Sequence, residues 1–166
     1  MIKLLVLDVD GCLSDGKLIY SLDGMESKNF NVKDGLGIST WIKMGYQVAI
    51  ITGRKSTIVQ RRSEELGVQH LYQGIREKDK VLLEVVKNLG IRLCEVAAIG
   101  DDLNDYAMLS LAGRSFTPSD GASEIKSLVK SVLTLKGGEG VVREMIDIVI
   151  NENDQKEEFL AVWMKE

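Results

Sequence analysis

The feature of this chain that most restricts its fold is an alternation of short apolar runs with longer amphipathic ones. Strand-like runs fall at residues 3–8, 47–52, 70–73, 96–100, 114–117 and 131–134. Helix-like segments at 55–66 and 78–89 each close on a glycine, Gly67 and Gly90, where a helix would be capped. Further helical segments are expected at 104–111, 123–129 and 139–150. Strands separated by helices cannot form hairpins with one another, so they must cross over and run parallel. The expected fold is therefore α/β, a Rossmann-like parallel sheet with helices on both faces. No repeat, linker or low-complexity segment interrupts it, and 166 residues suit a single domain, 1–166.

One insertion breaks the alternation. The stretch "GKLIYSLDGMESKNFNVKDG", residues 16–35, has two extended segments around Asp23-Gly24, a strong hairpin signal. A β-hairpin flap over about 17–32 is expected after the first strand, beside the sheet edge where ligands bind in open α/β folds. The stretch from Asp10 to Thr52 is filled by that hairpin and one helix, and the stretch from Lys78 to Asp101 by one helix and one strand. Neither leaves room for a cap domain.

Residues with chemical capacity cluster at the ends of the expected strands. "LLVLDVDG" delivers Asp8 and Asp10 after the first strand. Two carboxylates that close repel, and burying either unpaired is costly, so a cation or a proton must accompany them. Thr52 and Gly53 end the second sheet strand, Lys78 opens the helix after the third, and Asp101 and Asp102 follow the fourth. Parallel strands point one way, so these ends converge. Asp8 and Asp101 suit Mg²⁺, which takes one or two carboxylates and grips a phosphate. Thr52, Gly53 and Lys78 suit the oxygens of a transferring phosphoryl group.

Composition narrows the partners. The formal charge of −4 argues against nucleic acid and anionic membrane as partners. No stretch approaches the length of a membrane span. Cys12 and Cys94 lack metal-ligand spacing and read as free thiols in a reducing cytoplasm. His70, the only histidine, reads as structural.

The segments "LDVDGCLSDG", "ITGRKS", Lys78 and "IGDDLND" resemble the four motifs of the haloacid dehalogenase superfamily of phosphotransferases. Within it, "KDGLGI", "LYQG" and "GGEG" are similar to stretches of the small capless phosphatases acting on 3-deoxy-D-manno-octulosonate 8-phosphate. The resemblance implies an Mg²⁺-dependent phosphatase of lipopolysaccharide biosynthesis with Asp8 as nucleophile. It makes Asp10 the acid and base and a metal ligand through its backbone carbonyl, with Asp8 and Asp101 as carboxylate ligands. Asp102 and Asp105 are expected to orient metal waters or neighbouring groups. A homotetramer is also implied, hairpins packed together and a neighbour's surface completing each open site. The tail, 151–166, is a second candidate for closing it; docking on its own subunit is the alternative.

Arg54, beside Thr52-Gly53, and Arg62, further along the helix, are suited to a sugar-acid carboxylate. Related phosphatases for nine-carbon keto-sugar-acid 9-phosphates look to carry glutamate where Arg54 stands, so arginine favours the eight-carbon substrate. Two other classes compete. A signalling receiver domain also gathers these residue types, but with the acidic pair on its first strand and the phosphoacceptor on its third. A non-catalytic oligomerisation domain, of the kind fused to sugar-acid cytidylyltransferases, would not need the full set Asp8, Asp10, Thr52, Lys78 and Asp101.

Overall fold

The computed structural model describes residues 1–164. Its elements, in chain order, begin with β1 (Leu4–Leu7), a hairpin of β2 (Ile19–Tyr20) and β3 (Glu26–Ser27), α1 (Val32–Lys43) and β4 (Gln47–Thr52). They continue through α2 (Thr57–Leu66), β5 (His70–Gln73), α3 (Lys78–Leu89), β6 (Val96–Ile99), α4 (Tyr106–Leu111) and β7 (Arg114–Thr117). The last are α5 (Ser123–Leu128), β8 (Ser131–Val132), α6 (Val141–Glu152) and α7 (Lys156–Ala161). The six-stranded sheet has the order β5-β4-β1-β6-β7-β8, parallel throughout. β1 is central, and the chain crosses from one side of it to the other through α3.

The central strands β1 and β6 are apolar throughout, and β4 nearly so, because both faces are covered, whereas the edge strands β5 and β8 are less buried and carry polar residues. Leu5 and Leu7 of β1 point into one core with Trp41, Val142, Met145 and Phe159; Leu4 and Val6 point into the other with Leu82, Val85, Met108 and Ile125. Helices α1, α2, α6 and α7 thus cover one face and α3, α4 and α5 the opposite one. Each fully buried Leu or Val contributes about 1.5–3 kcal/mol. No cap domain stands between any two of the described elements, as the spacing implied.

Several boundaries differ from the sequence expectation. The hairpin strands hold two residues each, and the flap ends before residue 32: the Asn31 side chain accepts from Lys33 N at 2.9 Å, caps α1 and starts it at Val32. The expected helix 104–111 is split by a 3-10 turn, Leu103–Asp105, ahead of α4. α6 starts at Val141 because Gly140, at φ +95°, turns the chain just before it. Asp34 locks α1 to that end, its Oδ1 accepting from Arg143 N at 2.7 Å, and burial pushes its carboxyl up to about 6.

The tail takes the alternative course. Asn153 exchanges hydrogen bonds with Ile2 N and O, at 2.8 and 2.9 Å, at the start of β1. Phe159 is buried, and Trp163 Nε1 donates to Thr40 Oγ1 at 2.7 Å. Residues 151–164 therefore pack on their own subunit at the sheet edge opposite the strand C-termini, because that edge offers apolar helix surface. The last two residues of the expected tail, Lys165 and Glu166, lie outside the described residues.

Candidate active site

β1, β4 and β6 lie side by side with their C-terminal ends in register, which brings the expected site together. A cleft of about 280 Å³ is lined by Asp8, Asp10, Gly16, Thr52, Gly53, Arg54, Asp101, Asp102 and Asn104. Three other grooves are larger, about 320, 490 and 510 Å³, but none is lined by Asp8, Asp10 or Asp101. The cleft is where the chemistry lies.

Beneath it is a buried ion cluster. Lys78 Nζ donates to Asp8 Oδ1 at 2.6 Å and to Asp105 Oδ1 at 2.5 Å, and all three side chains are essentially covered. The other Asp105 oxygen accepts from the backbone N–H groups of Asp101 and Asp102, at 3.0 and 3.4 Å. Asp105 thus holds both the lysine and the turn that presents Asp101. Asp102, exposed, caps the 3-10 turn by accepting from Leu103 N at 2.7 Å.

Three carboxylates around one ammonium leave surplus negative charge. Burial, then Asp105, raises the pKa of Asp8 against the opposing pull of Lys78. Asp101 is pushed up to about 7 by burial, then by Asp105 and Asp102. Burial alone would lower the Lys78 pKa, but Asp8 and Asp105 together outweigh it and raise it. A divalent cation at the cleft floor would relieve that surplus. Oxygens of Asp8 and Asp101 and the buried Cys12 thiol lie within 4.8 Å of one another, so two hard donors converge where Mg²⁺ needs them. Gly11 makes this possible: at φ +95°, a Cβ there would fall 2.1 Å from Asp101 Oδ2. The "GGEG" stretch closes on the same loop, Gly138 N donating to Cys12 O at 2.9 Å.

The Asp10 carboxylate faces away from this floor. Lys28 of the hairpin donates to Oδ1, and Arg54 Nε lies 3.9 Å from Oδ2. Arg54 itself donates to Tyr20 Oη at 2.8 Å and to Glu26 Oε1 at 3.5 Å, while its Nε, buried, has no hydrogen-bond partner among the described residues. Thr52 is buried at the cleft wall. Gly53 would tolerate a Cβ among the protein atoms, with its nearest neighbour 3.6 Å away, so the structure itself does not demand glycine there.

Arg62 is not brought to the cleft of its own chain. It lies further along α2 and turns toward α1, beside Glu65 at 3.5 Å and near the ring of Phe30. Helical geometry explains this: Arg54 lies in the loop at the strand ends, whereas α2 carries Arg62 away from them. Arg61 pairs with Glu65 at the surface. The sequence reading missed Asn104 on the cleft wall and the hairpin residues Tyr20, Glu26 and Lys28. Asn104 could have been picked from "DDLND", which already supplied the acids; the hairpin residues carry no local pattern that sets them apart from solvated ones.

The sequence model of the haloacid dehalogenase-like hydrolases matches residues 73–145. The 3-deoxy-D-manno-octulosonate 8-phosphate phosphatase of Haemophilus influenzae is 37% identical over 95% of this chain and 88% of that protein. The crystal structure of the phosphatase of that name from Moraxella catarrhalis, in complex with magnesium, phosphate and KDO, has a TM-score of 0.94 at 40% identity. That match covers 98% of this chain and 94% of the other. The cobalt-bound Haemophilus influenzae enzyme superposes with a TM-score of 0.89 at 36% identity, over 99% and 94% of the two chains. With this likeness running along nearly its whole length, the chain belongs to the haloacid dehalogenase-like hydrolases, in the branch of the 3-deoxy-D-manno-octulosonate 8-phosphate phosphatases.

Proposed function

We propose that this chain hydrolyses 3-deoxy-D-manno-octulosonate 8-phosphate to the free sugar acid and phosphate, as a step of lipopolysaccharide biosynthesis. The observation that carries the reading is a buried Asp8, held by Lys78 at 2.6 Å, facing a cleft that Asp10, Thr52 and Arg54 also line. An Asp8 carboxylate oxygen attacks phosphorus and forms an aspartyl-phosphate, while Asp10 passes a proton to the departing sugar oxygen. Asp10 then takes a proton from water as that water attacks the aspartyl-phosphate, which frees phosphate and restores Asp8. Thr52, the Gly53 backbone and Lys78 hold the phosphoryl oxygens. Asp8, Asp101 and the Asp10 backbone carbonyl would hold Mg²⁺, which when bound would supply positive charge for the phosphoryl oxygens.

Residues 1–166 act as one domain in this reading. The exposed apolar side chains of Leu18, Ile19, Tyr20, Leu22 and Met25 support hairpin packing between copies in a homotetramer. In that assembly Arg62 would serve a neighbour's cleft. A cytoplasmic location fits the two free cysteines. No helix among the described residues is long and apolar enough to cross a membrane.

Phosphate release across a panel of sugar-acid phosphates and hexose phosphates tests the reading, with the eight-carbon acid expected to be turned over best. Preference for a nine-carbon acid, or no release from any, would overturn it. Arg54 carries the choice, since it lines the cleft beside Thr52 and Gly53. Arg54→Glu should cut kcat/KM for the sugar acid by at least about thirtyfold, the loss of a charge-assisted hydrogen bond of about 2 kcal/mol. Hydrolysis of 4-nitrophenyl phosphate should fall much less. Equal losses would assign Arg54 to the phosphate instead.

The raised carboxyls predict how the metal-free protein responds to pH. Asp34 at about 6 and Asp101 at about 7, with Asp8 also raised, bind protons in the folded state that the unfolded chain has released. The stability they contribute is complete below the unfolded pKa near 4 and is lost as pH rises through the folded values. In chelator, the melting temperature should therefore fall between pH 5 and 8. Added Mg²⁺ should restore it more at pH 8 than at pH 6, because the cation needs deprotonated ligands. A magnesium shift of constant size would contradict this account.

A further inference from the structure

Asp10, the residue assigned to the leaving-group proton, is held only weakly by its own loop: Ser14 Oγ lies 3.5 Å from Oδ1. Its firm partner is Lys28, which arrives from the hairpin. The Lys28 side chain is 0% exposed, although nearly all of the hairpin before it stands in solvent. A lysine on a two-stranded flap would ordinarily leave its ammonium in water, and burying it is favourable only with fixed partners. Those partners are present. Nζ lies 3.3 Å from Glu26 Oε1, and Glu26 is anchored from the far side by Ser56 Oγ at 2.7 Å and by Arg54. Two carboxylates and two cations thus form a charge-balanced bracket between the flap and the loop after β4. Lys28 is not among the residues lining the cleft; of those that are, it touches Asp10 directly and Arg54 through Glu26.

We infer that Lys28 is a positioning residue of the phosphatase reaction: bracketed by Glu26, it fixes the Asp10 carboxyl at the cleft, so the seating of the hairpin sets the geometry of proton transfer. This rests on the proposed role of Asp10. Proton donation matters for a sugar oxygen, which leaves poorly as an anion, and little for 4-nitrophenolate, which leaves without a proton. General acid–base catalysis contributes about 10²–10⁴-fold, and a misaimed acid forfeits part of that.

The test compares kcat/KM, which reports the steps up to loss of the leaving group, for the sugar-acid phosphate and for 4-nitrophenyl phosphate. In Lys28→Met, the ratio of the two is expected to fall at least about tenfold, through kcat rather than KM, with partial recovery in Lys28→Arg. Glu26→Gln, which loosens the bracket from behind but also releases Arg54, should lower kcat for the sugar-acid phosphate by less, and that kcat effect serves if Lys28→Met does not fold. An unchanged ratio overturns the inference, as does a change confined to KM, which would make Lys28 a substrate ligand. Asp10→Asn is the separate control: if its ratio matches the wild type, the role given to Asp10 fails, whatever the Lys28 variants do.

Discussion

Asp8→Asn is expected to abolish phosphate release from every phosphomonoester while leaving the protein folded. The amide is nearly isosteric, and Lys78 keeps its 2.5 Å bond to Asp105, so the buried ion cluster survives with one carboxylate fewer. Surplus negative charge beside Asp101 and Asp105 falls, so the melting temperature of the metal-free protein should hold or rise. Turnover has no second route. Phosphate monoesters react so slowly in water that enzymes accelerate their hydrolysis by up to about 10²¹-fold, and an amide at this position does not form the acyl-phosphate. Rapid-quench labelling should find no phosphorylated variant. A variant that retains more than a few per cent of wild-type kcat would refute covalent catalysis by Asp8.

Lys78→Met is expected to produce the largest loss of stability, together with loss of activity. Among the described residues the Lys78 ammonium is the one cation in contact with both Asp8 and Asp105, and its side chain is fully covered. Removing one partner from a buried ion pair typically costs about 3–5 kcal/mol because the remaining charges are left uncompensated. Here two carboxylates are left facing each other, and the cheapest response is for one to stay protonated. Asp8, already raised, would rise further, so the deficit should be small near pH 5 and grow toward pH 8. Denaturant melts at both pH values read this directly. A deficit that does not depend on pH would mean that Lys78 acts through packing of its methylenes.

The sheet and the order of its site segments could be read from the sequence because both rest on short-range patterns. A buried parallel strand must be apolar on both faces, as the runs at Leu4–Leu7, Gln47–Thr52 and Val96–Ile99 largely are, and the remaining strands fall where the alternation with helices spaces them. Their common direction then places Asp8, Asp10, Thr52 and Asp101 together without any knowledge of side-chain packing. Lys78 followed from the same logic, as the first residue of the helix that leaves β5.

What the sequence left open was decided by which surfaces meet. Arg62 and Arg54 carry the same guanidinium, yet α2 turns one toward α1 while the loop holds the other at the cleft. Nothing local marks Lys28 as buried, because its partners Asp10 and Glu26 become neighbours only when the hairpin folds back over β1. The tail's aromatic residues suited a lid or a core equally well until Asn153 met Ile2 and Trp163 met Thr40. Strand ends are aligned by backbone hydrogen bonding, which any sequence with the right period satisfies. The orientation of a helix face, a flap or a tail depends on long-range packing, where a few kcal/mol of burial and charge pairing select among alternatives that the local sequence permits equally.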